Sequence, residues 1–457
     1  MTETIADYER PKGLGVRHVQ TLLLFLGMFL AFTMRVNMSM AIVDMTDRDK
    51  EGFFDWDHQV KSIVLSSFFW GYVILQIPGG VLASRVGGKV LLTISLSVNS
   101  LVSLLLPYGA TWGGWQLVCA CRFLQGLTQA FVYPSTHHLV SQWIPSEEKG
   151  LLTTIVYAGG QLGIALQMIL SGYLATAWGW QAIFYTNGIL AALWTIAYIQ
   201  FGSVSPEKSK LISANEVIYI QKSLGRVGEQ QRYPMPWFKV MTSLPFWAVI
   251  VAHCGQNWGF FTLMTEIPTY MSNVLGVTLN TNGLLSSFPY LAMYALSFPM
   301  GALTDLIIRR DWMSVSNTRK LFNSIGLWGP ALALIALSFV PQTVAMVVIM
   351  LTITVGINAG QFTGYMLVHI DLAPNFSASL MGITNFLANI ISIIAPLVCG
   401  FIVQDEHDPL EWRKVFFLAS GVYFFTNLFF VLWGTSVRQK WNEPKTDNVE
   451  MKIRSNV

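Results

Sequence analysis

Residues 150–206 read GLLTTIVYAGGQLGIALQMILSGYLATAWGWQAIFYTNGILAALWTIAYIQFGSVSP, without one Asp, Glu, Lys or Arg. A helix that crosses a bilayer needs about 20 apolar residues. The stretch therefore holds two crossings, and Gly179, flanked by Trp178 and Trp180, marks the turn between them. Uncharged runs also occupy 90–121, 321–370 and 372–404. Pro107 with Gly109, Gly113 and Gly114, and Pro341, are the turn signals that divide the longer ones. Working outward gives spans at 18–43, 60–82, 89–108, 115–139, 150–173, 181–203, 245–274, 283–308, 321–341, 343–368, 378–404 and 414–435. The expected fold is an all-α polytopic membrane protein with twelve transmembrane helices.

The composition of the whole chain agrees. Its 457 residues are 12% charged and 53% hydrophobic, with a mean hydropathy of +0.50. That leaves too little polar side chain to cover a water-soluble particle, so lipid is the solvent for most of the surface. A cytosolic enzyme, a nucleic-acid binder and a secreted disulfide scaffold are excluded; transporter, channel, receptor and membrane-embedded enzyme remain. Sorted by loop, 21 Lys and Arg fall on one side of the spans and 5 on the other, which puts both termini in the cytoplasm. Trp112, Trp115, Trp178 and Trp180 then lie on the outer side as an interfacial belt. The acidic opening MTETIADYER is no cleavable signal peptide, which leaves the first helix as the insertion signal. The four cysteines, Cys119, Cys121, Cys254 and Cys399, all fall inside spans and read as packing residues.

An internal repeat divides the chain. LSSF at 65–68 recurs at 285–288, and QIPGGVLASR at 76–85 is echoed by SFPMGALTD at 297–305, with Pro and Gly in nearly the same register. The polar stretch 204–244 lies between the copies. The organisation is a tail (1–17), a six-helix half (18–203), a cytoplasmic linker (204–244), a second six-helix half (245–435) and a tail (436–457). Two such halves around a central site are a recurrent transporter architecture.

Three ionised residues sit well inside spans: Arg35, Arg122 and Glu266. An arginine at mid-bilayer costs about 2.5 to 3.5 kcal/mol and usually faces a water-filled cavity. Counted along their helices, all three lie about 10 to 14 Å below the outer surface. One reading is a pair between Glu266 and an arginine that locks helices together, but it leaves the other arginine without a partner. An anionic substrate supplies that partner, since guanidinium offers a carboxylate or phosphate two parallel hydrogen bonds and keeps its proton.

GGVLASRVGGKVLL at 79–92 resembles the helix 2–3 loop signature of the major facilitator superfamily, with Ser84 where the usual acidic residue stands. RVN at 35–37, FFWGYVILQIPGG at 68–80, CRFLQGLTQAFVYPSTHHLVSQWIP at 121–145, YAGGQLG at 157–163 and HIDLAPNFSASLMGITN at 369–385 sharpen the likeness. They are similar to the anion-cation symporters that include sialin, the vesicular glutamate transporters and the type I sodium-phosphate cotransporters, over about residues 17–440. The resemblance implies two pseudo-symmetric six-helix halves that rock around a midplane site lined by helices 1, 4, 7 and 10. It implies that Arg35 and Arg122 contact the anion and that Tyr133, with Tyr72 and Tyr157, lines the cavity. His137 also matches a family position, although a packing role suits it and His138 better than proton carriage.

The chain departs from the family pattern at informative places. Gln129 replaces the glutamate that proton-coupled relatives carry, and Gln256 replaces a helix 7 arginine of the vesicular glutamate carriers, where Leu65 also stands in for a histidine. Both glutamines are expected in the substrate site, and a vesicular glutamate loader is disfavoured. Glu266 is the expected ion-coupling residue, with Na⁺ favoured over H⁺, because nearby arginines favour its ionised form. Import of one negative charge against 100 mV costs about 2.3 kcal/mol, so uptake needs coupled cations. Arg85 and Lys89 after helix 2, with Asp305 and Arg309 after helix 8, are expected to form a charged cytoplasmic gate.

The function expected is secondary active transport of a small anion, inorganic phosphate or organic carboxylate, by a monomer with no cofactor beyond the transported cation. The plasma membrane is the favoured location, with an endolysosomal or vesicular membrane as the alternative. An anion-binding sensor and an uncoupled facilitative carrier are the rival readings on the same fold. A membrane enzyme is disfavoured, since the sequence has no HExxH, GxSxG or paired-cysteine motif.

Overall fold

Two glycines break what would otherwise be continuous helix. Gly114 (φ 58°, ψ −156°) interrupts α4 (Gly88–Gln129), and Gly179 (φ 81°) separates α6 (Lys149–Trp178) from α7 (Trp180–Phe201). A side chain on Cβ disfavours both conformations, so a glycine is needed where the chain reverses. The computed structural model describes residues 11, 13–46, 53–56, 58–225, 234–277, 279–405 and 407–442. The acidic opening segment, residues 226–233 of the linker and the tail beyond Asn442, which carry part of the topology count, lie outside the described residues.

The first half begins with α1 (Val16–Met45) and the bent pair α2 (His58–Ile74) and α3 (Gln76–Val86), which turn by 48° between them. It continues through α4, α5 (Val132–Trp143), α6 and α7. The second half comprises α10 (Leu244–Asn273), α11 (Leu279–Arg309), α12 (Val315–Leu337), α13 (Val344–Ile357), α14 (Tyr365–Leu372), α15 (Ser377–Ile402) and α16 (Pro409–Trp433). Among the described residues, nine helical stretches are long and apolar enough to cross a bilayer, and the α2–α3 pair makes a tenth. One of the nine, Gly88–Trp143, is two crossings joined at Gly114, and α10 completes a set of twelve. The protein is an all-helical, multi-pass membrane protein.

The halves meet along two seams, α6 against α11 and α15 against α3 and α5. Inside the first half, Gly71 and Gly126 let α2 lie directly on α4, because a Cβ on either would strike the other helix's backbone. That close approach brings Phe68 and Tyr72 beside the intramembrane arginines. Trp112 and Trp178 are exposed, as interfacial residues should be, but Trp180 turns inward onto Phe54 and Phe184.

The linker is more than a connector. It contains α8 (Ala214–Ser223) and the short α9 (Trp237–Met241), and Ser213 caps α8 by accepting from the Glu216 amide. Glu216 in turn accepts from the backbone amides of Val16 and Arg17 and from the Arg17 guanidinium, which also reaches Glu148. A carboxylate on two free amides at a helix start is favourable in both charge and hydrogen bonding. The start of α1 and the segment after α16, where the Gln439 amide donates to Leu372 O, both lie near the Lys149–Asp371 pair described below. This end of the bundle is called the termini face.

Candidate functional site

A cavity of about 60 Å³ lies between the halves. The first half contributes Phe32, Arg35, Tyr72, Tyr133 and Gln161; the second contributes His253, Gln256, Asn257, Gln361, Tyr365, Asn385 and Asn389 among others. Arg35 is the one Arg or Lys in this lining and no carboxylate faces it there. Its guanidinium lies 4.6 Å from the Phe32 ring centroid and 4.5 Å from that of Tyr72, and donates at 3.4 Å to Gln129 Oε1. Arg35 Nε and Gln161 Oε1 are buried without a hydrogen-bond partner. Buried polar groups are normally satisfied, so these two mark where a polar ligand has bonds to make.

Arg122 occupies a different position from the one expected. It is 2% exposed and donates to the backbone carbonyls of Met34 and Arg35, both at 3.1 Å, and to Gln125 Oε1. It lies behind Arg35, over Phe68, and is absent from the cavity lining. No carboxylate lies within ion-pair distance of Arg35 or Arg122 among the described residues. Gln129 is also behind the first layer, where it donates to Ala31 O and Asn99 Oδ1. Tyr157 stacks under Tyr133 at 5.8 Å and is fully buried. Gln256 does face the cavity, exchanging two hydrogen bonds with Asn358.

Glu266 does not join the arginines. It lines a separate cavity of about 10 Å³ with Thr262, Tyr270, Leu351 and Trp412, between α10, α13 and α16. Equal depth along three helices does not give equal direction. Ten residues separate Gln256 from Glu266, which is about 15 Å along the helix and about 80° short of a whole number of turns. Arg35 and Arg122 therefore do not stand beside Glu266 to favour its ionised form.

The charged gate is also built otherwise than expected. Arg85 and Arg309 are exposed, and Lys89 donates to Ile199 O at 2.9 Å within its own half. Asp305 instead accepts from the amides of Gly150 and Leu151 at 2.6 and 2.8 Å, at the start of α6 in the other half. The free amides and positive end of that helix make it a better partner than a flexible surface arginine. Beside it Asp371 binds Lys149 at 2.6 Å and Arg319 at 3.0 Å, so an ionic trio bridges the halves. On the other seam Ser84 meets Ser379 at 3.3 Å. Above these contacts Tyr157 stacks on Phe362 and His137 meets His369 edge to face, again across the halves. The termini face is closed.

Several lining residues escaped the sequence reading: Gln161, Asn257, Gln361, Asn385 and Asn389. Their signal was present, since an amide within a charge-free span is nearly as anomalous as a charge. Asn385 shows the consequence, donating across the seam to Tyr72 Oη at 3.1 Å and to Gln76 Oε1 at 2.6 Å. The lining thus draws on helices 2, 5 and 11 as well as 1, 4, 7 and 10.

A central cavity between two six-helix repeats, closed on one side by inter-half contacts, is the architecture of a transporter. The Major Facilitator Superfamily family model matches residues 24–396 and 258–455. The chain belongs to the major facilitator superfamily, in its anion-cation symporter family. It is 40% identical to a putative inorganic phosphate cotransporter of Drosophila melanogaster, over 97% of this chain and 89% of the relative. It is 34% identical to human sialin, over 93% and 91%, and 29% identical to human vesicular glutamate transporter 2, over 96% and 77%. Its fold is similar to that of the proton:xylose symporter XylE bound to a bromodeoxyglucose, with TM-score 0.70 at 14% identity over 93% of this chain and 98% of the other.

Proposed function

We propose that the chain is a secondary active transporter of a small organic anion, a carboxylate in preference to inorganic phosphate, working by alternating access. The observation that carries the reading is Arg35: one guanidinium, without a carboxylate partner among the described residues, on a cavity otherwise lined by amides, aromatic rings, His253 and Met366. A single fixed cation balances one negative charge, and bidentate guanidinium geometry matches a carboxylate. The amides then serve the hydroxyl, amide or ring groups of the anion's body. Arg122, bound to the carbonyls of Met34 and Arg35, positions Arg35 rather than touching the anion. The names of the relatives, sialin and vesicular glutamate transporter among them, support an anionic cargo. The fly relative's name favours phosphate as the second reading.

In this reading the termini face is cytoplasmic, supported by the excess of Lys and Arg on that side. Glu266 is the site of the coupling cation. It is the one carboxylate set well inside a span, and it lines a small cavity with Thr262 and Tyr270.

The test is uptake of glutamate, sialate, urate and phosphate into proteoliposomes, with and without Na⁺ and at two pH values. Arg35→Ala is expected to lower uptake about 30-fold or more, the effect of stripping a buried charge of its partner. Saturable uptake unaffected by Arg35→Ala would end this assignment. Glu266→Gln is expected to abolish the dependence on the coupling cation while leaving anion selectivity in place.

A further inference from the structure

From the lining of the central cavity, where His253 stands, toward the ionic trio run three buried histidines to which the transport reading gives no role. His137 on α5 belongs to the first half; His253 on α10 and His369 on α14 belong to the second. His137 and His369 meet with ring centroids 5.3 Å apart, and His369 and His253 at 6.3 Å. All three are at most 4% exposed.

Their hydrogen bonds fit neutral rings. His369 Nδ1 donates to Met366 O at 3.1 Å; in a neutral ring its Nε2, 2.8 Å from Thr384 Oγ1, then accepts, sharing that hydroxyl proton with Met381 O at 3.2 Å. His253 Nδ1 meets the same hydroxyl at 3.1 Å, so one threonine serves both rings. His137 Nδ1 pairs with Tyr157 Oη at 2.5 Å, while its Nε2 is buried without a partner. That orphan nitrogen is the point of stress. A proton added to His137 leaves an N–H of an imidazolium with no acceptor, buried against a second histidine of the opposite half, and an unpaired buried charge is strongly unfavourable. Parting of the halves at this seam gives Nε2 to water.

The other ionisable groups on the elements around the cluster do not cancel this charge. From α6 come Lys149, another cation, and Tyr157, with Tyr133 of α5 stacked on it; from α12 comes Arg319; from α11 comes Asp305, whose carboxylate is taken up by the amides of Gly150 and Leu151. From α14 come Tyr365 and Asp371, and the Asp371 carboxylate is already divided between Lys149 and Arg319. His138 follows His137 on α5, and Cys254 follows His253 on α10.

We propose that His137 and His369 form a proton-operated latch: neutral, they pack and keep the termini face closed; protonated, they repel and release it. The inference rests on the alternating-access reading, and it makes the proton a ligand of the seam whatever cation drives the anion. Histidine is suited to the task because its ordinary titration range brackets cellular pH.

The experiment needs no anion. Spin labels at Val86→Cys and Trp312→Cys, exposed positions of the two halves on the termini face, report the distance across the seam in nanodiscs, with the four native cysteines replaced by alanine. Between about pH 7.5 and about pH 5.5 the ratio of open to closed molecules is expected to rise about tenfold or more, as proton linkage allows for one site. The double variant His137→Gln, His369→Gln should lose most of that response; the remainder, from the Asp305 carboxylate on the amides of Gly150 and Leu151, should go when Asp305→Asn is added. Parent distances that ignore pH overturn the latch without any variant having to fold, and an equal response in the double variant overturns it too. Anion uptake through a pH-insensitive seam would leave the transport reading standing while removing the latch.

Discussion

Asp305 and Ser84 stand at corresponding places in the internal repeat, and each faces the first turn of a helix in the opposite half. Asp305 accepts from two backbone amides of α6, with the Lys149–Asp371–Arg319 trio beside it. Ser84 meets Ser379 in the first turn of α15, shares Gly80 O with its own helix, and relies on Gly80 packing against the backbone of Ala378. One seam is thus closed by charge on a helix end, the other by hydroxyls and close contact. Only the ionic solution satisfies the amides of a helix start; the neutral one holds its helix start by close backbone approach. They respond differently to change: the ionic seam weakens when a charge is removed or water enters, whereas the neutral seam weakens when a side chain is added.

The largest break in the comparison is expected from Asp371→Asn. It leaves Lys149 and Arg319 facing each other, and loss of one member from a buried ionic group costs about 3 to 5 kcal/mol. Spin-label distances across the termini face should show mostly open molecules; an unchanged distribution would remove the trio from the closure. Asp305→Asn is next, because its charged hydrogen bonds to Gly150 and Leu151 are worth about 1.5 to 3 kcal/mol. Hydrogen exchange at those two amides should accelerate accordingly, and unchanged protection would speak against the cap.

Gly80→Ala probes the neutral seam. An added Cβ falls 2.6 Å from Ala378 O and 3.0 Å from Ser379 Cα, both backbone, so neither moves aside cheaply. Overpacking of this kind costs about 1 to 3 kcal/mol, read as a lowered midpoint in a thermal unfolding scan. Gly301→Ala, the counterpart on the ionic seam, should behave alike, with its Cβ 2.9 Å from Leu151 Cα. The smallest effect belongs to Ser84 itself: Ser84→Ala should cost about 0.5 to 1.5 kcal/mol. Ser84→Asp would sharpen the contrast, adding about 0.3 to 1 kcal/mol to the closure through the α15 helix end. An Asp at 84 that leaves the closure unaffected would mean the seams are not equivalent in geometry.

Much of this architecture could be read from the residues. Charge-free runs set the spans, Gly114 and Gly179 their breaks, and the echo of QIPGG in SFPMG the two halves. Arg35 stood out because a charge in a span is costly, and it does face the cavity. The linker helix α8 went unread because its stretch is polar and its partner, Arg17, is about two hundred residues away in the chain. The gate was assigned to the wrong partners for a related reason: backbone amides at a helix start carry no sequence signature, so Asp305 looked as though it needed a basic side chain. Glu266 shared a depth with the arginines but not a direction.

By itself the sequence determined the solvent, the number of crossings and the division into halves, since hydropathy, charge placement and repeat register are properties of segments. Tertiary structure alone decided which polar groups meet. It put Arg122 behind Arg35, Glu266 in its own cavity, Asp305 on the end of α6 and three distant histidines at one seam. The reason is physical: burial and the breaking of helices are local free energies, whereas pairing depends on how helices rotate and pack, and a few tens of degrees about a helix axis is enough to send a side chain to another partner.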